Sequence, residues 1–213
     1  AWVVIAPFNF PLALAGGPTA AALVTGNTVV LKGANVTPWA GRMLADCMRD
    51  AGVPSGVFNY LGGGSNEVGQ ALVEHSRTAG LTFTGSQAVG MQIARRLLAD
   101  RRPRPCIAEM GGKNPCIVTA AADLECAVSG IVRSAFGMCG QKCSALSRLY
   151  VHRAVADELL ERLAERTKAL SIGNPTRRQH WLGPVTTQAG YDRWEQYAEQ
   201  LRRDASRIVS GGE

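Results

Sequence analysis

Apolar residues fall along this chain in two alternating rhythms. Short apolar runs read as buried strands: Trp2-Val-Val-Ile5, Thr28 to Lys32, Val57 to Leu61 and Leu81 to Thr84. Between them lie stretches with helical spacing: Pro38 to Ala51, Asn66 to His75 and Ser86 to Ala99. Thr37 is a candidate cap for the first of these and Gly52 a candidate stop. Such alternation predicts a parallel sheet with covering helices, hence an α/β fold.

Pro103 and Pro105 punctuate the chain, and the alternation continues beyond them. It reads as a strand over Pro105 to Glu109, a strand over Asn114 to Thr119, a helix over Asp123 to Phe136 and a strand over Arg148 to His152. Ala154 to Leu170 follows as an amphipathic helix with Leu159, Leu160, Leu163 and Leu170 on one side. A helix from about Thr187 to Arg203 and a strand over Arg207 to Val209 end the series. The break near Glu109 to Gly112 divides the chain into units 1–110 and 111–213. Leu12 to Val24 is too short for a membrane span, and Gly16, Gly17 and Pro18 interrupt it.

The chain has 213 residues, with 46% hydrophobic and 19% charged, enough for a sizeable core. It opens inside a strand and ends in a Gly-rich turn, so it is read as an internal fragment of a longer protein. The net charge is +6. Its clustered part, Arg95, Arg96, Arg101, Arg102 and Arg104, lacks the interleaved aromatics of a nucleic-acid site and reads as a solvated helix end. No nucleic-acid or membrane partner is expected. The six cysteines form no CxxC pair and have no histidine at ligand spacing, so no metal is expected. Cys106, Cys116 and Cys126 sit in apolar runs and read as buried thiols. Unpaired thiols favour a reducing, cytoplasmic setting.

Candidate chemistry lies in two glycine-flanked segments, Glu109-Met-Gly-Gly-Lys-Asn-Pro and Gly140-Gln-Lys-Cys143-Ser-Ala. Glycine lets backbone approach a ligand closely. A thiol nucleophile with a separate carboxylate base suits chemistry that forms a thioester and then hydrolyses it. The dinucleotide fingerprint GxGxxG is absent. Two turns could serve instead: Gly62-Gly63-Gly64-Ser65, and Phe83-Thr84-Gly85-Ser86, where Ser86 opens a helix whose free N–H groups suit a pyrophosphate. Alone, a Gly-Ser turn is more often a simple cap, and a lone cysteine more often inert.

Together with Pro7-Phe8-Asn9-Phe10-Pro11-Leu12, these segments closely resemble the aldehyde dehydrogenase superfamily over essentially the whole chain. The resemblance implies a Rossmann-like NAD(P)-binding domain over 1–110 and a catalytic α/β domain over 111–213, both partial. It implies Cys143 as nucleophile, Glu109 as base and the Asn9 amide, with the Cys143 N–H, as oxyanion donors. Burial beside Met110 is expected to tune the carboxylate base. For the cofactor it implies Phe8, Lys32, Asn35, Gly63, Gly69, Phe83, Gly85, Ser86, Met110 and Gly111. Family members usually carry Pro after the lysine, and many carry Glu three positions beyond it. Here Gly33 and Asn35 stand there, so NAD is expected with NADP possible.

Gly140 to Arg148, Pro105 to Pro115 and Ser134 to Gly137 look most like the branch that oxidises L-glutamate 5-semialdehyde to L-glutamate. Its substrate carries an α-carboxylate, so Lys142 and Ser144 are candidate binding residues. A solvated loop lysine is the equal alternative for Lys142. Cys139 could pair with Cys143 in a protective disulfide, although small apolar packing is the duller expectation. The rival readings are another semialdehyde or general aldehyde dehydrogenase, an enzyme that passes its thioester to coenzyme A, and a non-catalytic dinucleotide-binding module. The resemblance also implies a homo-oligomer for the longer protein.

Overall fold

The computed structural model describes residues 1–204 and 207–212, with Ser65 through its backbone only. The chain divides into two compact units at Gly111/Gly112. Each is an α/β unit, so the fold class read from the pattern is the one observed.

In the first unit, strands β1 (Trp2–Ile5), β2 (Val29–Lys32), β3 (Phe58–Leu61), β4 (Gly80–Thr84) and β5 (Cys106–Glu109) form one sheet. Its order is β3-β2-β1-β4-β5, and every neighbouring pair is parallel. Helices α1 (Ala13–Val24), α2 (Pro38–Asp50), α3 (Gln70–Glu74) and α4 (Gln87–Leu98) connect the strands. Two apolar clusters result. One joins Val4, Val29 and Leu31 to Ala15, Ala22 and Leu44; the other joins Val3, Leu81 and Phe83 to Val73, Ile93 and Leu97. Alternate residues of β1 enter different clusters, as a parallel strand covered on both faces requires.

Helix α1 is absent from the sequence expectations, and Gly16, Gly17 and Pro18 give its segment a weak helical pattern. Pro18 lies inside it and cannot donate to the backbone ladder. Burial of Ala15, Thr19 and Ala22 against the sheet overrides that local cost. The expected helix over Asn66 to His75 is instead a π-type turn, Ser65–Gly69, running into α3.

The second unit pairs β6 (Asn114–Val118) with β7 (Leu146–Val151) in parallel. Helices α5 (Leu124–Phe136) and α6 (Ala156–Lys168) pack on one face through Val118, Val128, Ile131 and Leu159. The carboxylate of Asp123 caps α5 by accepting from the Cys126 N–H at 3.0 Å. Helix α7 spans Gln188–Asp204. Two expectations need correction here. Arg207 to Val209 is no strand, since it pairs with no other strand in the described unit, and an extended segment without a ladder is not a sheet element. Cys126 is exposed rather than buried, because it lies in the first turn of α5 on the side away from the core; Cys106 and Cys116 are half-buried.

Candidate functional site

Parallel strands point their carboxyl ends the same way, and the connections leaving those ends gather on one edge of the sheet. Register makes this concrete. Ile5 lies opposite Lys32 on one side and Phe83 on the other, and Thr84 lies opposite Glu109. Lys32, the Phe8-Asn9 loop after β1, the Gly85-Ser86 turn after β4 and Glu109 with Met110 after β5 therefore share one edge. The order β3-β2-β1-β4-β5 reverses direction between β1 and β4. Open α/β sheets bind ligands at such a switch point, in the crevice outside the strands' carboxyl ends.

Residues at this edge have defined surroundings. The Lys32 residue is only 3% exposed, and its ammonium donates to Gly33 O at 3.1 Å and Asn35 Oδ1 at 3.3 Å. Burial without a carboxylate partner pushes its pKa down. Asn9 is half-buried, and its side-chain oxygen accepts from the Phe10 N–H at 3.1 Å. The Gly85 N–H donates to Glu109 O at 3.0 Å, tying the turn after β4 to the end of β5. A Cβ on Gly85 would lie 2.5 Å from the tip of the Phe83 ring, so any side chain there would have to displace that buried ring. Ser86 caps α4 by accepting from the Val89 N–H at 3.4 Å. Met110 packs toward Gly90 of α4, where a Cβ would meet its sulfur at 2.7 Å.

Gly63 takes φ +117° at the end of β3, and Gly69 is buried at the end of the π-type turn. Gly111 is exposed, and Phe8 is half-buried. The expected burial of Glu109 is not observed. β5 is an edge strand with alternating exposure, and Glu109 falls on its exposed face with Ile107.

In the second unit, Cys143 is exposed on the loop that leads into β7. The turn before it is unusual. Met138 and Cys139 both have left-handed backbones (φ 56° and 54°), and Gly140 continues at φ 68°. Non-glycine residues pay a steric penalty in this region, and such strain gathers at functional sites. Three polar contacts brace the turn. The Cys139 thiol donates to Gly183 O at 3.1 Å, the Thr186 N–H donates to Gln141 Oε1 at 3.1 Å, and the Lys142 ammonium donates to Arg133 O at 3.2 Å. Lys142 thus sits at the last turn of α5, where a cation suits the helix's negative end. Burial pushes the Cys139 thiol's pKa up. Both Cys139 and Cys143 are free thiols. Ser144 is exposed and lines a cleft of about 350 Å³ with Asn114, Cys116, Cys126 and Ser134.

Sequence reading missed the role of Asn114. Its carboxamide donates to Cys143 O at 2.7 Å and to Ala145 O at 3.1 Å. The available signal was its place just before Pro115, which removes a backbone donor at the start of β6. Among the described residues no cluster of His, Cys, Asp and Glu could hold a metal, and no helix is long and apolar enough to cross a membrane.

Comparison with known proteins agrees with this architecture. The sequence model of the aldehyde dehydrogenase family matches residues 1–213. A 1-pyrroline-5-carboxylate dehydrogenase of Geobacillus thermodenitrificans is 46% identical over 216 residues, covering 99% of this chain and 42% of that protein. A Thermus 1-pyrroline-5-carboxylate dehydrogenase structure with bound NAD is 37% identical with TM-score 0.92, covering 99% of this chain and 41% of that one. A lactaldehyde dehydrogenase structure is 36% identical with TM-score 0.94, covering 100% of this chain and 44% of that one. The chain thus spans under half the length of the relatives it matches.

Proposed function

Since the chain belongs to the aldehyde dehydrogenase family, we propose that it carries the cofactor edge and the nucleophile of an enzyme that oxidises an aldehyde to a carboxylate. The row of Lys32, Phe83 and Glu109 at the carboxyl edge of the first sheet carries this reading. A nicotinamide dinucleotide fits that edge on two grounds. The Gly85 turn brings bare backbone to the switch point, and Ser86 opens a helix of 12 residues whose first N–H groups favour a pyrophosphate. Lys32 and Asn35 would hold the adenosine ribose. NAD is the proposed cofactor, and the neutral Asn35 leaves NADP tolerable. When bound, the cofactor supplies the hydride acceptor.

The chain's own residues do the rest. The Cys143 thiolate adds to the aldehyde carbon, forming a C–S bond and moving the carbonyl electron pair onto oxygen. The Asn9 amide and the Cys143 N–H stabilise that oxyanion. Oxidation leaves an acyl group on the sulfur as a thioester. Glu109 takes a proton from water, the resulting hydroxide adds to the thioester carbon, and the C–S bond breaks to release thiolate and a carboxylic acid, which loses its proton to water.

The substrate proposed is L-glutamate 5-semialdehyde. Identity of 46% to a 1-pyrroline-5-carboxylate dehydrogenase supports it, as do Lys142 and Ser144 beside the nucleophile. Lys142 is engaged with Arg133 O, whereas Ser144 is exposed next to Cys143, so Ser144 is the better placed of the two. The similarity to a lactaldehyde dehydrogenase favours a general aldehyde dehydrogenase as the second reading. A homo-oligomer in a reducing, cytoplasmic compartment belongs to the same proposal.

The test is NADH formation by the full-length protein with glutamate semialdehyde, succinic semialdehyde and a simple alkanal. A kcat/KM at least about 10-fold higher for the first, a difference of about 1.4 kcal/mol in transition-state binding, supports the substrate. Equal values leave the general reading, and no NADH with any of them rejects the enzyme.

A further inference from the structure

The loop bearing Cys143 enters β7 at an irregular point of its ladder. Asn114 lies opposite Leu146, yet the next residue, Pro115, lies opposite Arg148, so Ser147 is left over as a bulge. Pro115 has no N–H to give. Beside this irregularity a side chain bonds the loop that leads into β7. The Asn114 carboxamide spends both N–H bonds on this loop, one to Cys143 O at 2.7 Å and one to Ala145 O at 3.1 Å. Two carbonyl acceptors can be met only by the NH₂ end of the amide, so its orientation is unambiguous.

We infer that Asn114 is a positioning residue for the nucleophile: by clamping the carbonyls of Cys143 and Ala145 it fixes the peptide that leaves Cys143 and so aims the sulfur. The inference rests on the reading of Cys143 as nucleophile. The loop is braced on its other side by the Lys142, Gln141 and Cys139 contacts. Those lie on the N-terminal side of Cys143, and Asn114 alone among the described side chains is seen to bond the carbonyls of Cys143 and Ala145. A clamp of this kind acts on the reaction through geometry. Displacing a reacting atom by about 1 Å can cost roughly 100-fold in rate with binding untouched.

The test compares Asn114→Asp, Asn114→Ser and Asn114→Ala in the full-length protein, with Cys143→Ala as control. Asp keeps the shape but faces two carbonyls with an acceptor. Ser retains one donor. The measurements are kcat and KM for the aldehyde, Kd for NAD, melting temperature, and the iodoacetamide alkylation rate of Cys143 read on its own peptide by mass spectrometry. The expected result is kcat lowered about 100-fold in Asp and Ala, a partial return in Ser, and KM and Kd for NAD unchanged. The alkylation rate of Cys143 should shift in the same order. Wild-type kcat in Asp and Ala overturns the inference, while loss of turnover in Cys143→Ala shows the nucleophile reading still standing. Turnover retained by Cys143→Ala overturns that reading instead. Variants that fail to fold, or lose kcat only in step with melting temperature and with no Ser rescue, also overturn it, since the amide then serves the fold alone.

Discussion

The ammonium of Lys32 donates to the side-chain oxygen of Asn35 at 3.3 Å, across the turn that begins where β2 ends. Asn35 is neutral, so the pair holds a buried cation with dipoles only. The folded protein therefore binds the Lys32 proton less tightly than the unfolded chain does, and its pKa falls below 10.5. Between the lowered folded value and 10.5 the unfolded state carries more protons, and stability rises with pH across that window. Below it the full cost of the buried charge applies. Lys32→Met should accordingly stabilise the fold at pH 7 by roughly 1 kcal/mol. The gain should shrink as pH approaches 10, and nucleotide affinity should fall. Thermal melts at both pH values, with NAD titration, check this; a gain that grows with pH contradicts it.

Glu109 is exposed at the end of β5, opposite Thr84. A base that acts only in thioester hydrolysis should be dispensable for thioester formation. Glu109→Gln should therefore show a stoichiometric burst of NADH followed by turnover slowed about 100-fold. Rapid mixing with excess aldehyde separates the phases. An unchanged steady state removes the assigned role.

In sequence Arg104 reads as part of a solvated basic cluster, and the structure gives it different work. Its guanidinium donates to Val73 O at 2.8 Å, Thr78 O at 3.1 Å and His75 O at 3.2 Å, and its Nε donates to Asp100 at 2.8 Å. The side chain is 13% exposed. It thus satisfies the carbonyls where α3 ends and holds that end near β5. Arg104→Ala should destabilise the fold by about 3 kcal/mol, as several carbonyls lose their partner. Arg104→Lys should recover little, because an ammonium cannot span the same fork of acceptors. Denaturant melts measure both, and equal stability of Lys and wild type would contradict the fork argument.

The contrast between Arg104 and Asp123 shows what was legible. Asp123 acts within three residues of itself, so its cap is visible in the order of residues, although the cap named from sequence is Thr37, whose side chain makes no capping hydrogen bond. The strands of the first sheet were equally plain, since each is an apolar run bounded by turn residues. Long-range partners were not readable. Nothing near Arg104 in sequence announces carbonyls 26 to 31 positions away. Asn114 was missed for the same reason, as its acceptors lie 29 and 31 positions on. By sequence alone Lys142 reads equally as a substrate contact or a solvated lysine. Its bond to Arg133 O depends on the left-handed turn between them, which sequence gave no reason to expect. Helix α1 failed on local grounds, because Gly16-Gly17-Pro18 argues against a helix that sheet packing nonetheless imposes.

That left-handed turn offers the last test. Met138 is 42% exposed, so its side chain gives little packing, yet its backbone sits at φ 56°. A left-handed residue with a Cβ costs roughly 1–2 kcal/mol more than glycine there. Glycine also loses more chain entropy on folding, by roughly 0.5–1 kcal/mol. Steric relief is the larger effect, so Met138→Gly should stabilise the fold by about 0.5–1 kcal/mol. Cys139 occupies the same region at φ 54° but also donates its thiol to Gly183 O. Cys139→Gly should gain less than Met138→Gly, because the relief is set against a lost hydrogen bond of about 1 kcal/mol. If the turn is held for the sake of Cys143, the more relaxed Met138→Gly should keep kcat, since the bracing contacts remain. Equilibrium denaturation of the two variants orders them, and a destabilised Met138→Gly would mean that the turn carries no strain.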